Sequence, residues 1–197
     1  MAKVELGTRR VFSNLKAALF TPWTDFKTLP TGEDEQTYDL VDIVADTTSV
    51  EQAENEINTI DHEFSSSPLF ENVNLGEKTF STECVDLQND VLKSMFGWKT
   101  TETGDAFAPI GYEDLYCKVE LHFNSTEDIM VLPKVKLNSR AIIASMKTDV
   151  SRANITGTCY PAYVTAGGVT RNTDMAIIGS VNVSSYTVAG DGTETEE

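Results

Sequence analysis

Histidine and cysteine are scarce in this chain: two of the former and three of the latter in 197 residues. His62 sits in Asp61-His62-Glu63 but has no second histidine at the spacing of a zinc helix, and His122 is distant. Cys84, Cys117 and Cys159 are odd in number and lack CxxC spacing, which argues against a disulfide framework or a zinc site. They are expected to be buried small hydrophobes. No apolar run approaches the roughly 18 residues of a membrane span, so no membrane partner is expected. The first residues, Met1 to Leu6, lack the basic-then-apolar plan of a signal peptide, and the sequence reads as that of a protein made in a cytoplasm. The sequons at Asn124, Asn154 and Asn182 are then chance matches.

Catalytic signatures are missing as well. There is no GxSxG elbow and no DxDxDG calcium loop, and Ala166 to Arg171 is too short for a phosphate loop and reads as a turn. Paired acids such as Glu54 and Glu56 are cheap coincidences in so acidic a chain. A Ser-His-Asp set drawn from distant positions leaves no local motif, so that alternative stays open. The expectation is a protein that is not an enzyme, with no cofactor and no metal.

What the chain does have is negative charge, unevenly spread. The formal net charge is −16. Residues 31 to 75 contain no Lys or Arg, yet they hold Glu33, Asp34, Glu35, Asp39, Asp42, Asp46, Glu51, Glu54, Glu56, Asp61, Glu63 and Glu71. The first thirty residues lean the other way, with Lys3, Arg9, Arg10, Lys16 and Lys27 against Glu5 and Asp25. Such a surface repels nucleic acid. The plain reading of an acidic run is a solvated face that keeps a protein soluble.

Hydrophobic residues at 40% and charged residues at 23% place the chain among globular proteins, and its length suits one domain with a real core. Residues 1–197 are read as that one domain, with an N-terminal arm over 1–32 and a flexible acidic tail over 190–197. From Tyr116 to Phe123 the odd positions are apolar and most even ones polar, the period of a half-buried strand. His122 falls on the polar, solvent side of it. After a polar turn at 124–128, Ile129, Val131, Val135 and Leu137 restart the alternation, so the two segments form an antiparallel hairpin with Pro133 at an edge or bulge. Further strands are expected near Arg140–Met146, Ile155–Tyr163 and Met175–Val188, and more weakly over Asp39–Val44, Asn55–Phe64 and Lys78–Thr82. Leu87, Val91, Leu92 and Met95 recur at helical spacing, with Asp86 and Asp90 near the start, Lys93 near the end and Gly97 as a stop, predicting one amphipathic helix over about 85–96. Residues 101–114 read as a loop, and 7–32 show no sustained period.

This order of features resembles the bacteriophage major tail tube proteins. The resemblance rests on Ile43 to Val50 leading to Ile57 through Glu63, on Gly76 to Cys84 running into the helix that ends at Met95-Phe96-Gly97, and on Val131-Leu132-Pro133-Lys134-Val135-Lys136-Leu137. It spans about residues 40 to 165. What it implies is a mainly β fold, a sandwich or barrel-like core with one flanking helix and an extended N-terminal arm or loops. It further implies hexameric rings stacked into a tube inside the virion tail, assembled in the bacterial host cytoplasm. The partners implied are further copies of the chain, the tape measure and other tail proteins. Phage DNA passes through without specific binding. On this reading Glu51, Glu54, Glu56, Asp61 and Glu63 are candidates to face the lumen. Phe20, Trp23 and Phe26, with the loop at 101–114, are candidates for contacts between subunits, the alternative being that these aromatics pack on their own core. Other readings are a different virion part (tail terminator, head–tail connector or decoration protein) or a bacterial β-sandwich binding module for carbohydrate or protein.

Overall fold

The computed structural model describes residues 12–31, 35–40, 42–61, 68–85, 88–111, 113–142 and 151–190. In chain order the elements are β1 (Leu15–Pro22), β2 (Tyr38–Asp39), β3 (Ser49–Gln52), β4 (Glu56–Asp61), β5 (Pro68–Asn74) and β6 (Lys78–Cys84). Helix α1 (Asn89–Phe96) follows, then β7 (Lys99–Thr100), β8 (Ala106–Phe107), β9 (Leu115–Phe123), β10 (Thr126–Leu137) and β11 (Arg140–Ile142). The rest comprises β12 (Arg152–Tyr160), β13 (Ala162–Ala166), β14 (Val169–Thr173), β15 (Ala176–Ile178), a 3-10 turn at Ser180–Asn182 and β16 (Thr187–Ala189). The fold is mainly β and antiparallel, with one α-helix among the described residues, as the sequence pattern leads one to expect.

The centre is the β9–β10 hairpin. Cys117, Val119 and Leu121 point into the main core, the period-two face already visible in the sequence. In β10 the register with β9 shifts between Leu132 and Val135, around Pro133, which has no N–H to give to the ladder. The bulge changes which positions face which side. Ile129 and Val131 before it enter one cluster, and Val135 and Leu137 after it enter another. It also splits the partners of β10: the first half pairs with β15 and the second with β12.

The main sheet runs β2-β1-β9-β10-β12-β6-β3. Three strands separate β1 from β6, yet Phe20 of β1 packs against Phe80 of β6 at 5.8 Å between ring centroids. The sheet therefore curls round a shared interior. The connection after β2 ties its two ends together: Leu40 N–H donates to the Ala18 carbonyl of β1, while Val44 N–H donates to Glu83 of β6 and Ile43 bridges Cys84. Helix α1 supplies Val91, Leu92, Met95 and Phe96 to this interior. The helix stops at Gly97, whose φ of 66° is the left-handed conformation glycine takes freely. On the outer side of the hairpin a small sheet, β14-β13-β16, closes a second cluster around Ile129, Val131, Val164, Ile178 and Val188.

Several elements differ from expectation. β1 is a strand inside the sheet, within a stretch whose sequence shows no period. The segment Met175–Val188 is not one strand but β15, a 3-10 turn and β16. Among its described residues, Asp39–Val44 contributes the end of β2 and an isolated bridge. The loop at 101–114 carries the short β8, paired with β7. Of Arg140–Met146, residues 143–146 lie outside the described residues, as do His62, Glu63, Asp86, Leu87 and residues 191–197.

Candidate functional site

The acidic stretch reaches the surface at the edge of the main sheet. β3 is its last strand, paired with β6 on one side. Glu51 within β3, Glu54 in the connection to β4 and Glu56 at the start of β4 are all exposed. β4 and β5 form a separate two-stranded sheet, with Ile57 opposite Val73 and Ile60 opposite Phe70, and pair with no third strand among the described residues. The base of this hairpin is fixed: Ala53 N–H donates to the Glu77 carbonyl at 2.9 Å, and Gly76 N–H to Asn55 Oδ1 at 3.0 Å. A side chain at Gly76 would collide with the Ala53 carbonyl, so glycine lets the two strands leave the sheet this close together. Asp61 ends β4.

The three aromatics part company. Phe20 is fully buried in the main core cluster, and Trp23, 6% exposed, belongs to the second cluster. Phe26 is 44% exposed. The Asp25 carboxylate builds the turn before Phe26, accepting from the amides of Lys27 and Thr28, bonds that hold its pKa below the ordinary value. Trp23 donates its indole N–H to the Pro133 carbonyl at the bulge, 3.1 Å away. Next to it Lys134, 1% exposed, lays its ammonium over Phe26 at 3.3 Å, Trp23 at 5.0 Å and Tyr116 at 5.6 Å. An ammonium enclosed by aromatic faces is stabilised by their quadrupoles. This box fastens the Trp23–Thr28 turn to β10.

The even positions of β9 are less solvated than their polarity suggests. Lys118 is 7% exposed and bridges Glu35 and Glu120, each at 3.0 Å. His122 is 28% exposed at its side chain, and its buried Nε2 lies 3.5 Å from Glu120 Oε2. The buried hydroxyl of Tyr186 falls short of hydrogen-bond geometry yet faces the same carboxylate. Burial raises the pKa of Glu120, but Tyr186, Lys118 and His122 together outweigh it and the net shift is downward. Desolvation and Glu120 push the Tyr186 phenol far up. The cluster is a buried electrostatic joint between the hairpin and the chain before β16.

The cysteines are poorly placed to act as nucleophiles. All three cysteines are outside any disulfide and buried, and burial pushes the thiols of Cys117 and Cys159 up to about 12, keeping both protonated at neutral pH. Among the described residues no three His, Cys, Asp or Glu side chains gather where they could hold a metal ion. No helix among them is long and apolar enough to cross a membrane.

One large groove of about 960 Å³ opens between the start of β1, the tip of the β9–β10 hairpin and the connection from β2 to β3. Its floor is apolar, with Leu121, Phe123 and Met130, and its rim carries Asp39, Asp42 and Asp46 against Lys16. No sequence signal marked it, because its walls come from three distant stretches.

No protein-family model matches the chain, and no curated protein matches it in sequence. Among solved structures, the chain is similar to one in the cryo-EM structure of the anti-feeding prophage baseplate, six-fold symmetrised. That match covers 89% of this chain and 99% of the other, at 10% sequence identity and a TM-score of 0.41.

Proposed function

We propose that this chain is a structural subunit of a phage-type tail, the repeating unit of the tail tube. One observation carries the reading: the β4–β5 hairpin leaves the main sheet beside the β3 edge and pairs only with itself among the described residues. A two-stranded hairpin alone is marginal in water, and an open edge is a liability for a monomer. Identical neighbours in a closed ring satisfy both at once. The tail-tube-like order of strands and helix in the sequence supports the same role. Hexameric rings, a lumen lined by Glu51, Glu54 and Glu56 with Asp61 and Glu63, and contacts to a tape measure protein belong to this proposal. Of the aromatics, Phe26 is the one left available for contact with a neighbour.

Electron microscopy of the purified chain tests it, alongside a variant in which residues 56–74 are replaced by a short Gly-Ser turn between the fixed base strands. The unaltered chain is expected to form tubes or stacked rings, and the variant to stay folded but unassembled. A chain that remains monomeric at high concentration overturns the tube reading. Isolated rings that never stack point instead to a tail terminator, connector or decoration role.

A further inference from the structure

We propose that the Glu120 cluster is an acid-operated latch: protonating this carboxylate lets the small outer sheet open away from the β9–β10 hairpin while the main sheet stays folded. This goes beyond the tube reading and does not depend on it.

The outer layer is built to move as a unit. β13, β14 and β16 form a sheet of their own, and β13 follows β12 after one residue, Pro161. At the far end of the β13–β14 hairpin, β15 pairs with Ile129–Val131 of β10. Ile129 and Val131 lie beneath the layer, packed in one cluster with Val164 of β13 and Val188 of β16. Those apolar contacts carry no charge to titrate. Two polar ties accompany them. Ser180 N–H donates to Asp128 Oδ1 at 2.9 Å, at an exposed site. The second tie is Tyr186, the residue before β16.

Tyr186 meets the hairpin on its charged face. Its ring lies 5.8 Å from the Lys118 ammonium, and its buried hydroxyl faces Glu120. One oxygen of Glu120 holds Lys118 at 3.0 Å, and Lys118 in turn reaches Glu35 in the chain before β2. The other oxygen lies 3.5 Å from His122 Nε2. Leu19 of β1 and Val131 of β10, opposite Glu120 in the two ladders, are apolar. The groups facing this carboxylate among the described residues are therefore Lys118, His122, Tyr186 and, through Lys118, Glu35. While ionised, Glu120 compensates the burial of both the Lys118 ammonium and the Tyr186 phenol. Once protonated it leaves Lys118 with Glu35 alone, and the charge that offset their desolvation is gone. The least costly response is for Tyr186 to lift with β16 and admit water. The direction of the switch follows from the depressed pKa of Glu120: the latch is complete above the ordinary 4.5 and weakens as pH falls through the lower folded value.

Hydrogen exchange of the purified chain from pH 7 to pH 3, corrected for the intrinsic pH dependence of exchange, tests this. Amides of β13 and β16 are expected to open about tenfold to a hundredfold more often at the acid end, the equivalent of one lost hydrogen bond to a charged group. Over the same range β6 and β12 should keep their protection. E120Q is expected to show the faster opening already at pH 7, with little further change on acidification. D128N, which neutralises the other tie, should retain the acid response. Simultaneous loss of protection in both sheets would overturn the proposal, as would an outer sheet whose opening stays level down to pH 3. An acid response that E120Q keeps, or that D128N abolishes, would assign it to another carboxylate and overturn it too. The unaltered chain supplies the comparison between sheets, so the test decides even where E120Q fails to fold.

Discussion

The cluster on β9 shows how much one side chain can settle. Glu120 is 13% exposed at its side chain and shares Lys118 with Glu35. Because its folded pKa lies below the ordinary 4.5, folding favours the ionised carboxylate. Its contribution is complete above that ordinary value and is lost as pH falls through the depressed folded value. Replacing it by glutamine keeps the shape and removes the charge. E120Q is expected to cost about 2 kcal/mol at pH 7, the scale of a hydrogen bond to a charged group, or about 4–8 °C in Tm for a chain of this size. Thermal unfolding from pH 7 to pH 3 checks this: the gap from the unaltered protein should narrow below pH 4.5. A gap of equal size at both ends of the range would show that charge is not the cause.

Among elements, α1 has the simplest physics. It presents Val91, Leu92, Met95 and Phe96 on one face, and eight residues are too few for a helix to persist without packing. Met95, 1% exposed, lies deepest, and M95A is expected to cost about 3 kcal/mol in denaturant unfolding, as large-to-small changes in cores do. A loss under about 0.5 kcal/mol, the level of a surface site, would mean that the helix does not plug the interior. The helix and β9 were legible because each keeps one period and has one clear stop. β10 was legible only in part, because the bulge at Pro133 sends Val135 and Leu137 to a different cluster from Ile129 and Val131. β1 was not. Ala18 and Phe20 face the interior, but Leu19 is apolar on the other face, Thr21 is buried too, and a register shift between Leu15 and Ala17 disturbs the alternation. The segment after β15 reads as strand because its polar and apolar residues alternate, yet its backbone turns through a 3-10 helix before β16. The aromatic box was illegible for a different reason: Trp23 and Lys134 are brought together by the topology, and local pattern carries no trace of a contact more than a hundred residues long. The even positions of β9 read as a solvent face because polarity does not reveal that Tyr186 will cover them.

At the scale of the whole molecule the question is what an excess of negative charge accomplishes. Glu51, Glu54 and Glu56 are exposed and gather where the main sheet ends and the β4–β5 hairpin begins. Removing exposed charges away from caps and cores changes stability by about 0.5 kcal/mol or less, so these carboxylates are not there to hold the fold. A ring of such subunits would repeat each carboxylate in every copy, and stacking would repeat it along the tube. Fields from single surface charges fade within about 8 Å at physiological salt, but a narrow conduit keeps DNA within that distance of its wall. In the proposed tube, repulsion would keep the phosphate backbone from adhering as it passes. On the tube proposal, the triple variant E51Q/E54Q/E56Q is expected to fold and assemble normally yet release DNA more slowly from the virion, with the larger delay at low ionic strength. Time-resolved ejection from purified particles measures this directly. Ejection at the unaltered rate across salt concentrations would place these carboxylates outside the DNA path, on a face that serves solubility alone.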